Sequence, residues 1–94
     1  AAAAVRAYLR LLAAVPDTHV ARKHGPTEAE RVRCRAVEVE TWYEACQTSG
    51  ARDHVVETFD RELKLAGVNP GTSADLTVAS LFAMHLAAAL EEAR

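Results

Sequence analysis

Apolar residues recur at helical spacing along nearly the whole chain. Val5, Tyr8, Leu9, Leu12 and Val15 fall three or four apart and form one stripe. Pro16 ends that helix, because proline lacks the amide hydrogen and restricts the residue before it. Residues 16–26 are polar and read as a loop, or a loop with one short turn. Thr27 opens the next helix, with Glu30 three residues on as the partner of a capping box. Its stripe is Val32, Ala36, Val39, Tyr43 and Cys46, and its end falls near Ser49-Gly50. A third helix spans about 52–66 on the stripe Val56, Phe59, Leu63 and Ala66, and Gly67 supplies a left-handed stop. Asn69-Pro70-Gly71 is a turn signal, and Thr72 or Ser73 can cap a last helix running to about Glu91. The pattern predicts an all-α fold, a bundle of four main helices.

The last helix departs from the others. Leu76, Val78, Leu81, Phe82, Met84, Leu86, Leu90 and seven alanines cover most of its circumference. A helix apolar all round is normally buried on several sides. Three amphipathic helices cannot easily surround it. It is therefore expected to pack against something these residues do not contain, either a missing N-terminal segment or a second copy.

Composition supports that expectation. Half of the 94 residues are apolar, yet 20 of them are alanine, and Val, Leu and Phe number only 10, 9 and 2. The core such a chain can build is small. Residues 1–94 are expected to be a single helical domain and part of a longer protein. A β-rich module is excluded by the shortage of aromatics and the absence of isoleucine. The net charge is −2, with seven basic and three acidic groups in residues 1–35 against four and ten in the remainder. A chain that is not basic overall is a poor nucleic-acid binder. No run of about 18 apolar residues is free of polar breaks, so no membrane span is predicted. Cys34 and Cys46 form no Cys-x-x-Cys pair and read as reduced thiols of a cytoplasmic protein.

Two segments carry chemistry. Around Asn69, Gly71, Thr72, Ser73 and Asp75, a helix start offers unpaired amides, two hydroxyls and a glycine that admits close approach. Phosphate suits such a place, with Asp75 as a magnesium ligand or the partner of a ligand hydroxyl. A plain capped turn has the same pattern. In the second segment Asp17 and Thr18 precede His19, Arg22, Lys23 and His24. The cations could hold a polyphosphate and the carboxylate a metal or a proton, or the segment could be a solvated loop. The four histidines lack the spacing of a zinc site. Arg31, Arg33 and Arg35 are expected to be solvated or paired with Glu28, Glu30 and Glu38.

Residues 67–82, which include Asn69-Pro70-Gly71-Thr72-Ser73-Ala74-Asp75-Leu76, resemble the C-terminal motif of the triphosphoribosyl-dephospho-CoA synthase family. Asp17-Thr18 followed by basic residues and Gly25 is similar to a second motif of that family, Asp-Thr then Arg-Gly-Gly. The Arg-Gly-Gly is Lys23-His24-Gly25 here, with Arg22 one place early, which is similar to a divergent branch of the family. The resemblance covers most of the 94 residues but only the back part of the family's longer fold.

The resemblance implies a transferase that joins ATP and 3′-dephospho-CoA with release of adenine, making a prosthetic-group precursor. It implies ATP as substrate, Mg2+, and a dephospho-CoA-like acceptor. By motif position Asp75 and Asp17 would be catalytic or metal-binding. Asn69, Gly71, Thr72, Ser73, Arg22 and Lys23 would bind substrate. Little or no activity is expected of residues 1–94 alone. The rival readings are a non-catalytic helical interaction module that dimerises through its last helix, and a nucleotide-using enzyme of one-carbon cofactor synthesis.

Overall fold

The structure, a computed structural model, describes residues 2–93. For residue 2 and residues 72–81 it describes the helical backbone and not the side chains. Five helices and no strand occur among the described residues: α1 (Ala2–Ala14), α2 (Thr18–His24), α3 (Pro26–Ala45), α4 (Ser49–Leu65) and α5 (Gly71–Glu92). The fold is all-α. Four of these are the expected long helices, and α2 occupies the segment read as a loop.

Helix α3 is the spine. α1, α2 and α4 each pack on it, and α5 lies on α1 and α2. The stripe of α3 is the centre of the core, with Ala29, Val32, Ala36, Val39 and Tyr43 all buried. Alanine matters here, since Ala36 has no exposed surface and its small side chain allows close helix approach. Leu9 and Leu12 of α1, Val20 of α2, and Phe59 and Leu63 of α4 complete the cluster. Val15 is not in it. Helix α1 ends at Ala14, one residue short of its predicted stripe, so Val15 turns outward and Ala13 takes the core position.

Four helix ends differ from the sequence reading. No capping box forms at Thr27, because Pro26 already begins α3 with Gly25 as N-cap. Gly25 adopts φ 95° and ψ 161°, a region open only to glycine, and that permits α2 to end and α3 to begin on the same residue. Glu30 is drawn to Arg33 instead. Helix α3 stops at Ala45, and α4 starts at Ser49 because the Thr48 hydroxyl accepts from the Ala51 amide at 3.1 Å. Helix α5 starts at Gly71, so Thr72 and Ser73 stand inside it and do not cap it.

The stop at Gly67 is as expected. Gly67 has φ 69°, its amide donates to the Lys64 carbonyl, and the Val68 amide donates to the Leu63 carbonyl at 2.9 Å. This is a Schellman closure, with Val68 and Leu63 both buried as its hydrophobic contact. No helix among the described residues is long and apolar enough to cross a membrane.

Candidate active site

Asp17 builds the first wall. Its backbone is extended, and its carboxylate Oδ1 accepts from the amides of His19 at 2.9 Å and Val20 at 3.1 Å. It is the N-cap of α2 and is almost fully buried. Val20 plugs α2 into the core, which leaves His19, Arg22, Lys23 and His24 on the exposed side. Arg22, Lys23 and His24 occupy the last turn, where cations also complement the helix dipole.

The second wall is the turn before α5. The Gly71 amide donates to the Asn69 carbonyl at 2.8 Å across Pro70, whose φ −76° and ψ 68° make an inverse γ-turn. Pro70 is buried and Asn69 is exposed. Two histidines join the walls. A ring nitrogen of His24, Nε2, lies 3.1 Å from the Gly67 carbonyl. The His19 ring lies against Gly71, where a β-carbon would stand 3.0 Å from Cδ2. A larger residue at position 71 would push the imidazole aside.

Between the walls is a cavity of about 300 Å³ lined by His19, Arg22, Lys23, His24 and Asn69. Neither Arg22 nor Lys23 makes an ion pair among the described residues, although seven such pairs form elsewhere. The three arginines of α3 are the contrast. Arg31 and Arg33 pair with Glu28 and Glu30, and Arg35 with both Glu38 and Glu62. The cavity is thus open, cationic and bordered by a turn.

Arg22, Lys23 and Asn69 meet in one place although they are far apart in sequence. Gly71 borders it through His19. The backbone of Thr72, Ser73 and Asp75 belongs to the first turns of α5, while their side chains lie outside the described residues. His19 and His24 also line the cavity, and the only sign of this in the sequence is their closeness to Lys23. Among the described residues no three His, Cys, Asp or Glu side chains converge as a metal site requires. Asp17 has one carboxylate oxygen committed to its cap.

A pocket whose cations have no carboxylate partner among the described residues, set beside a helix-opening turn, has the chemistry that suits an anion such as phosphate. The family model of ATP:dephospho-CoA triphosphoribosyl transferase (CitG) matches residues 1–94, and the chain belongs to that family. No curated protein and no solved structure matches the chain.

Proposed function

We propose that the cavity between α2 and the Asn69–Gly71 turn holds the triphosphate of ATP in a transfer of the triphosphoribosyl group to 3′-dephospho-CoA. The observation that carries this reading is the meeting of Arg22 and Lys23, neither with a carboxylate partner among the described residues, with Asn69 of the C-terminal motif. Arg22 and Lys23 neutralise the phosphates. Asn69, Gly71, Thr72 and Ser73 hold phosphate or ribose. In the reaction the acceptor's 2′-oxygen bonds to C1 of the ATP ribose as the C1–N9 bond breaks. The hydroxyl's proton leaves and adenine departs protonated. Asp75 and Asp17 would steer that hydroxyl. Mg2+ would enter with ATP, with the same two carboxylates as its candidate ligands.

The site is completed by helices beyond these 94 residues, or by a second copy meeting α5, and the protein works in the cytoplasm. Alone, residues 1–94 bind nucleotide and turn over little. The exposed end of α5 favours one second reading, a helical interaction module without catalysis.

Thermal unfolding with and without ATP and magnesium separates the two. Saturation at about 100 times Kd adds about 2.7 kcal/mol, a shift of several degrees. Lys23→Ala with Arg22→Ala should abolish the shift while leaving the unliganded Tm nearly unchanged. If neither ATP nor dephospho-CoA moves the Tm, and the chain is a tight dimer, the interaction module stands instead.

A further inference from the structure

Helices α1 and α4 both pack on α3 but not on each other. A valley runs between them. It holds two neighbouring cavities of about 410 Å³ and 420 Å³, which share Val5, Val56 and Glu57. Its floor is the core itself, with Leu9, Phe59 and Leu63. Its length follows α4, whose 17 residues span about 25 Å. A valley of that shape between two helices over a third is where one more helix fits in a bundle.

The rim sets the chemistry of the occupant. Asp53, Glu57 and Asp60 are exposed and line the valley from α4, spaced four and three apart so that they share one edge. Asp60 pairs with Lys64 at 2.8 Å. Asp53 and Glu57 make no ion pair among the described residues, and Arg52 at the far end donates to the Cys46 carbonyl.

We propose that this valley seats an amphipathic α-helix of another polypeptide, apolar on one face and bearing Lys or Arg along the edge that meets Asp53 and Glu57. A second copy's α5 is a poorer occupant. Its exposed apolar half ends in Glu91-Glu92, which would bring like charge to an acidic rim. The interaction is independent of nucleotide binding.

The test uses two labelled synthetic helices of about 18 residues, long enough to run the length of the valley. Both carry leucines on one face. One has lysines along the edge and its twin has glutamates. Fluorescence anisotropy with the 94-residue protein at low salt should show the lysine helix binding about tenfold more tightly, with the difference shrinking as salt rises. Asp53→Lys with Glu57→Lys should reverse the preference, and circular dichroism should confirm that this surface variant is folded. Equal binding of the two helices, binding of neither, or a preference indifferent to the double substitution overturns the proposal. So does sedimentation showing a dimer that must dissociate before the lysine helix binds, since the occupant is then a second copy.

Discussion

Arg35 shows how much one side chain can organise. Its guanidinium donates to both carboxylate oxygens of Glu62 at 2.9 and 2.6 Å, joining α3 to α4. It also reaches Glu38 at 2.8 Å and lies 4.9 Å from the centre of the Trp42 ring. The rigid fork of arginine allows this, and lysine could not reproduce it. The hydrogen bond from Arg35 holds Glu62 below its ordinary value of 4.5, against a smaller opposing effect of burial. A carboxylate lowered in the folded state adds stability above its unfolded value, and that stability is lost as pH falls through the folded value. The wild-type Tm should therefore drop on acidification below about pH 4.5 more steeply than that of Glu62→Gln, which lacks the titrating group. Both side chains keep solvent contact, so the effect is modest. Parallel Tm profiles for the two proteins between pH 3 and 7 would sink the assignment. The Glu38 partner was legible at a spacing of three, whereas Glu62, 27 positions away, comes close only once α4 folds onto α3.

At the scale of elements, α2 is what the sequence concealed. Seven residues are far below the roughly 12–15 at which an isolated helix holds in water, so propensity alone could not indicate it. Tertiary support makes it: the Asp17 cap, Val20 in the core, and Gly25 opening the way into α3. By contrast Gly67 and the Asn69–Gly71 turn were legible, because φ > 0 and the proline geometry are written into single residues. The candidate site was legible by half for the same reason. Its two motifs could be found separately, but their meeting depends on α2 being a helix. Asp17 now has two possible duties, and asparagine separates them, since it caps about as well as aspartate but cannot act as an anion. Asp17→Ala should cost about 1–2 kcal/mol through loss of the cap. Asp17→Asn should stay within a few tenths of wild type in chemical denaturation. If Asp17→Asn keeps stability but loses the ATP-induced Tm shift or turnover, the carboxylate acts on the ligand. If it keeps both, Asp17 is structural.

For the whole molecule the question is where the apolar surface goes. The core gathers around α3, and the last turns of α5 leave it behind. Phe82, Met84, Leu86 and Leu90 are each at least half exposed, and the alanines between them are exposed as well. From Phe82 to Leu90 only His85 interrupts the apolar residues, so this half of the helix is not a surface helix of the usual kind. Alanine-rich, apolar and uncovered, it has helix propensity but little packing over this stretch to hold it. Hydrogen exchange on the 94-residue protein at low concentration should therefore divide sharply. Amides of α3 should be the slowest, opening only with global unfolding, while amides of 82–92 should exchange within the dead time or close to it. Raising the protein concentration tests what covers them. Protection that grows with concentration assigns the role to a second copy, and protection that appears only with added polypeptide assigns it to a helix from outside. Slow exchange of 82–92 even in dilute solution would contradict the exposed placement of this half of α5, because an uncovered helix end with little packing has little means of resisting local opening.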